Sequence, residues 1–138
     1  SFDRHYAVNV RANWLLIREF ATRFSGAKGT GRIVALTSDA TRDNVPYGAS
    51  KGALDRVVIA AAVELADRGI SANVLNPGPI NTGWMTDTLA AELAAMTPAG
   101  RLGTPRDTAA LVAFLLSADG GWISGQLLKS DGGFSAAF

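Results

Sequence analysis

The chain has 138 residues and a mass of 14.4 kDa, which limits it to one domain but leaves room for a hydrophobic core without staples. Hydrophobic residues make up 48% and charged residues 18%, which excludes a disordered or fibrous chain. Lys+Arg is 13 and Asp+Glu is 12, a net charge of +1, so no electrostatic footprint for nucleic acid or an anionic membrane is present.

There is no cysteine. Disulfides, thiolate zinc sites and cysteine nucleophiles are excluded, and a cytoplasmic setting is expected. The apolar run from Val57 to Val63 is 7 residues, far too short to span a bilayer. Ser1 to His5 holds no apolar signal core. There is no initiator Met and a helical pattern starts almost at once, so Ser1 is not expected to be a natural start.

Tyr6, Val8, Val10, Trp14, Leu15, Ile17, Phe20 and Phe24 recur at helical spacing and predict a helix from Tyr6 to Phe24. Ser25 to Gly31 is a polar, glycine-rich link. Ile33 to Leu36 is short, apolar and β-branched at its start, which predicts a buried strand. Thr37 to Pro46 reads as a loop. A second long helix is expected from about Tyr47 to Arg68, with Leu54, Val57, Val58, Ala61 and Leu65 on one side and Gly69 as its stop.

Ile70 to Leu75 predicts a second buried strand. Asn76-Pro77-Gly78-Pro79 breaks both periods and must be a loop. A short helix is expected over Asp87 to Met96, within a longer excursion from Trp84 to Gly103. Thr104 can cap the next helix, Pro105 suits its first position and Asp107 its first turn; that helix runs to about Ser117. Gln126 to Lys129 is the last strand, and Asp131-Gly132-Gly133 a turn. The order α-β-α-β-α-α-β argues for an α/β fold with a parallel sheet covered by helices.

Tyr47-Gly48-Ala49-Ser50-Lys51 places a phenol and an ammonium four residues apart, on one helix face. A free tyrosine titrates near pH ~10, and a neighbouring cation favours the phenolate. Such a tyrosine can exchange a proton with an alcohol or carbonyl oxygen near neutrality. Taken alone, the pair is also what an ordinary helix surface can carry.

Other segments fall in a telling order around it. Tyr6-Ala7-Val8-Asn9-Val10, the strand Gly31 to Ser38, Tyr47 to Lys51, Asn76 to Thr82 and Gly125 to Gly133 together resemble the second half of a short-chain dehydrogenase/reductase. The resemblance covers nearly the whole chain. It implies a three-layer Rossmann-like doubly wound parallel sheet, here only its C-terminal part, as a single partial domain over residues 1–138. It implies an NAD(P)-dependent oxidoreductase that interconverts an alcohol and a carbonyl by hydride transfer. Tyr47 would be the general acid in reduction and base in oxidation. Lys51 would lower its pKa and bind the nicotinamide ribose, and Ser38 would hold the substrate oxygen. Asn9 would bind a water leading from Lys51 to solvent. Pro77 and Gly78 would form the loop that meets the nicotinamide end of NAD or NADP. The Ile80 backbone would meet the carboxamide, and Thr82 the carboxamide or pyrophosphate. Partners would be a small alcohol or carbonyl substrate and a second copy or three further copies of the chain, with no nucleic acid and no membrane.

Two departures from that family stand out. Ser38 and Tyr47 are 9 residues apart, a few fewer than usual, so the loop between them is shortened. The glycine-rich cofactor fingerprint and the residue that chooses NAD or NADP do not occur in this sequence. Gly26 to Gly31 is no substitute, because it leads from helix into strand rather than from strand into helix. A sheet edge is therefore expected to be left open, and a non-catalytic remnant or interaction module is the alternative reading.

Gly48-Ala49-Ser50-Lys51-Gly52 also satisfies G-x-S-x-G, but a hydrolase needs a strand-to-helix elbow and a histidine after the serine. The only histidine, His5, precedes it and is expected to be a solvated surface residue. Trp84 and Met85 read equally as lid or core.

Overall fold

The computed structural model describes residues 1–40 and 44–137. Three strands, β1 (Gly31–Leu36), β2 (Ile70–Asn76) and β3 (Leu127–Lys129), form one parallel sheet in that order. Gly31 to Leu36 pairs with Ile70 to Leu75 in register, and Val74 to Asn76 pairs with Leu127 to Lys129. Every residue of β2 is buried. That is the condition of a strand with neighbours on both edges and helices on both faces.

The helices are α1 (Phe2–Tyr6), α2 (Ala12–Arg23), α3 (Val45–Glu64), α4 (Asp87–Met96) and α5 (Pro105–Leu116). Side chains alternate across a strand, and the two faces of the sheet are covered differently. Ala72 and Val74 face Leu54, Val58, Ala61 and Ala62 of α3, with Ile17 of α2, Ile33 and Ala35 packed against the same cluster. On the opposite face α5 packs against β1, and its Leu115 is shut off from solvent. Asn73 points to that face, and its burial is tolerated because both ends of its amide are used. Its Nδ2 donates to the Ile123 carbonyl at 2.7 Å and its Oδ1 accepts from the Gln126 N–H at 3.1 Å.

The elements expected from the sequence all form, with shifted ends. The first expected helix starts earlier, at Phe2, and is not uniform. Between α1 and α2 lies a π-helical turn, Ala7–Arg11, that contains Asn9. The second begins at Val45, because Pro46 is tolerated in a first helical turn, and ends at Glu64. A 3₁₀ turn, Ala66–Arg68, follows, and Gly69 closes it in the left-handed conformation at φ 70°. α4 has the expected bounds. At α5 the Thr104 side chain accepts from the Asp107 N–H while Asp107 accepts from the Thr104 N–H, and Arg101 grips the same carboxylate with two bonds of 2.8 and 3.0 Å. Of the expected loop from Thr37 to Pro46, residues 41–43 lie outside the described residues. The outer edge of β1 has no strand partner among the described residues. No helix among them is long and apolar enough to cross a membrane.

Candidate active site

Parallel strands carry their ligands beyond their carboxyl ends, and that end of the sheet gathers the expected residues. β1 finishes at Leu36, and the buried Thr37 continues it by donating its N–H to the Leu75 carbonyl of β2 at 2.9 Å. α3 then enters across this end. The Lys51 ammonium donates to the Leu36 carbonyl at 2.9 Å, and the Thr37 hydroxyl donates to the Lys51 carbonyl at 3.3 Å. Strand end and helix are thus fastened in both directions.

Tyr47 and Lys51 sit one turn apart as their spacing requires, and Lys51 Nζ lies 5.7 Å from the centroid of the Tyr47 ring. Burial lowers the Lys51 pKa, and the charge of Asp55, one further turn along α3, partly offsets this. Burial in turn raises the Asp55 carboxyl, against the opposing pull of the Thr37 hydroxyl, Arg56 and Lys51. Asp55 Oδ1 is buried and has no hydrogen-bond partner among the described residues.

Ser38 lies two residues beyond the carbonyl that Lys51 grips, half-buried, with its Oγ accepting from the Ala40 N–H at 3.2 Å. Asn9 reaches the same helix from the π turn. Its Nδ2 donates to Ser50 Oγ at 2.9 Å, and Ser50 Oγ donates to the Tyr47 carbonyl at 2.8 Å. Ser50 is fully buried inside α3, so G-x-S-x-G here is not a nucleophile elbow.

His5 departs from expectation. It is half-buried rather than solvated, and its ring meets the Tyr47 ring edge-on, with centroids 5.9 Å apart and planes at 73°. The helix that carries Asn9 one turn later also carries His5 onto the same tyrosine.

The Asn76 to Thr82 segment leaves β2 through a tight turn. Asn76 Oδ1 accepts from the Gly78 N–H at 3.0 Å, and Gly78 adopts φ 65°. A Cβ on Gly78 would stand 2.4 Å from Asp131 Cβ, so only glycine lets the loop lie against the turn after β3. Asp131 itself accepts from the Gly133 and Ser135 N–H groups, both at 3.0 Å. Ile80 pairs with Gly103 in a parallel bridge: the Gly103 N–H donates to the Pro79 carbonyl and the Asn81 N–H to the Gly103 carbonyl, both at 3.1 Å. Alternation along an extended chain then directs Ile80's own N–H and C=O to the opposite edge. Thr82 and Trp84 are exposed and Met85 is half-buried, so Trp84 is not a core residue.

Sequence reasoning did not assign a site role to His5, Ser50, Thr37, Asp55 or Gly103. Two of these carried a signal: Ser50 is a small hydroxyl residue inside Y-x-x-x-K, able to bond back to the Tyr47 carbonyl, and Asp55 continues the Tyr47, Lys51 spacing by one more turn.

Comparison with known proteins identifies the family and the fold. The family model described as enoyl-(acyl carrier protein) reductase matches residues 1–135. An uncharacterized oxidoreductase YjdA of Bacillus subtilis (strain 168) is 45% identical over 139 residues, covering 97% of this chain and 55% of the relative. A protein of Arabidopsis thaliana named NADPH-dependent aldehyde reductase-like protein, chloroplastic, is 39% identical over 141 residues, covering 96% of this chain and 52% of its own. The crystal structure of 3-ketoacyl-(acyl-carrier-protein) reductase from Brucella melitensis complexed with NADH superposes with a TM-score of 0.87 at 35% identity, over 97% of this chain and 58% of that one. The chain spans about half the length of the curated relatives it matches. With its parallel sheet, its Tyr47–Lys51 helix across the strand ends and a family model matched over nearly its full length, the chain belongs to the short-chain dehydrogenase/reductase family.

Proposed function

We propose that this chain carries the catalytic part of an NAD(P)-dependent oxidoreductase that interconverts an alcohol and a carbonyl. One observation carries the reading. The Lys51 ammonium stands beside the Tyr47 ring while anchored to the end of β1, two residues before Ser38. A phenol, a cation and a hydroxyl therefore share the end of the sheet where parallel folds bind ligands.

The residues present fit the nicotinamide end of the cofactor. The outward N–H and C=O of Ile80 make a donor and acceptor pair suited to a carboxamide, and the exposed Thr82 hydroxyl lies two residues on. Pro77 and Gly78 shape the turn that brings Ile80 there, and Lys51 would hold the ribose. When bound, the cofactor supplies the hydride. In reduction Tyr47 donates its phenolic proton to the carbonyl oxygen, and in oxidation it takes the proton of the alcohol. Ser38 donates a hydrogen bond to the same oxygen, polarising the carbonyl in reduction. The Lys51 cation favours the phenolate left behind, and Asn9 holds a water through which Lys51 reaches solvent.

The experiment is carbonyl reduction by the protein carrying this chain, followed by NADPH and NADH absorbance, with Tyr47→Phe beside it. The reading expects the variant to lose turnover while still binding cofactor; full turnover would refute the catalytic assignment. A second reading, a non-catalytic interaction module, is favoured by one observation. Val8 on the π turn, Trp14 and Phe20 on α2 and Val63 on α3 are exposed large apolar residues, as a surface that packs on a further copy in a homodimer or homotetramer would be. Failure of both NADPH and NADH to quench tryptophan emission would favour it. A cytoplasmic setting goes with either reading.

A further inference from the structure

Ser50 sits between two of the residues assigned above and has no contact with solvent. A hydroxyl carries one proton. That of Ser50 goes to the Tyr47 carbonyl, 2.8 Å away, which can only accept. Ser50 can therefore only accept from Asn9, and only the amide nitrogen of Asn9 can donate. The bond is 2.9 Å long and runs from the π turn into α3. Turning the Asn9 amide over would make Ser50 swing its one proton onto the Asn9 oxygen and give up its bond to the Tyr47 carbonyl. No water can replace the lost partner at a site this enclosed. The direction of the chain, from Asn9 through Ser50 to the Tyr47 carbonyl, thus points Asn9 Oδ1 away from α3.

The π turn needs such a fastening. Its widened spiral is also held from within, where Asn13 Nδ2 donates to the Val8 carbonyl at 3.2 Å and the Asn9 carbonyl at 3.0 Å. Ser50 supplies the hold from outside, on the residue that precedes Lys51 and within the turn that begins at Tyr47.

We infer that Ser50 is a positioning residue of the reductase site: it fixes the orientation of the Asn9 amide and locks the π turn to the Tyr47–Lys51 turn. The inference rests on the function proposed above. It is separable from it, because Ser50 touches neither substrate nor cofactor and acts through Asn9.

The test is a double-mutant cycle in the full-length protein. Ser50→Ala, Asn9→Ala and the double variant are compared for kcat and KM in carbonyl reduction, with Tyr47→Phe as control and thermal unfolding to verify the fold. Ser50→Ala should lower kcat about tenfold, the scale of a displaced site group, with both KM values within roughly twofold. The double variant should be no slower than Asn9→Ala, because the two act as one unit. Wild-type kcat in Ser50→Ala, or losses that simply multiply, would overturn the inference. Should Ser50→Ala not fold, Ser50→Cys keeps the volume with a weak donor and should show the same loss confined to kcat; an unchanged kcat there would equally overturn it. A fully active Tyr47→Phe would instead remove the function on which the inference stands, so the two failures are told apart.

Discussion

Two stretches of the chain build the site, and they are held in opposite ways. From Tyr47 to Asp55, α3 presents its chemistry from a helix whose other face, through Leu54 and Val58, is buried in the core. It is fastened to the end of β1 by Lys51 and Thr37 and to the π turn by Ser50. From Pro77 to Gly103 the chain leaves the sheet. It is anchored at a few points, Gly78 against Asp131, Ile80 against Gly103 and the buried Thr97 with Ala99 against Gly132, and elsewhere exposes Thr82, Trp84 and Met96. The difference separates two jobs. On the function proposed above, proton transfer, which requires fixed positions, would sit on the packed helix, and substrate choice, which requires shape that can change, would fall to the more exposed segment.

The largest effect should come from the packed stretch. Tyr47→Phe should cut turnover by roughly 10²–10⁴, the usual worth of a positioned acid or base, with stability almost unchanged; initial rates and thermal melts together check this. Next is Leu54→Ala on the buried face of the same helix. Leu54 is 1% exposed, and the cavity should cost about 2–5 kcal/mol in denaturant unfolding. A cost under ~1 kcal/mol would show that α3 is not the rigid partner in the comparison.

Gly78→Ala tests the anchor of the other stretch. The left-handed backbone alone should cost about 1–2 kcal/mol, and the Cβ meets Asp131 at 2.4 Å. The KM for cofactor should rise, since the turn that delivers Ile80 must shift.

Asp55→Asn should act through pH. The Asp55 charge raises the Lys51 pKa against the burial that lowers it. Without that charge Lys51 loses its proton at a lower pH, and the alkaline limb of the rate profile should move down the pH scale. An unmoved limb would separate Asp55 from the chemistry. The smallest effect belongs to Trp84→Ala: at 69% exposed, it should leave stability within ~0.5 kcal/mol and alter only the KM for bulky carbonyls. A large loss of kcat there would break the division of labour.

What was legible in the sequence was local. Strand runs, the α5 cap from Thr104 to Asp107 and the four-residue step from Tyr47 to Lys51 announce themselves within one or two turns of chain, because propensity, capping and periodicity act over that range. The π turn was not legible: Ala7 to Arg11 contains no glycine or proline and keeps an ordinary helical pattern. Nor were His5 against Tyr47 or Gly103 against Ile80. Those contacts join residues far apart in the chain, and tertiary packing alone decides them. Asn9, Ser38, Tyr47 and Lys51 could be named in advance through family resemblance, whereas the bonds that fix them belong to neighbours that no motif mentions.

The π turn also has a consequence for how this helix can vary. It holds one residue more than an α turn, and one residue is worth ~100° of rotation about the axis. The segment before it and the segment after it are therefore out of phase. That offset lets His5 and Asn9 meet the Tyr47 to Ser50 turn of α3 while Ile17, further along, meets the core face that Leu54 and Val58 of the same helix build. Removing a single residue between Ala7 and Arg11 would restore a regular helix and swing one of the two faces off its target. Substitutions along this stretch are local events, but a change of length by one residue forces the molecule to choose between its active site and its core.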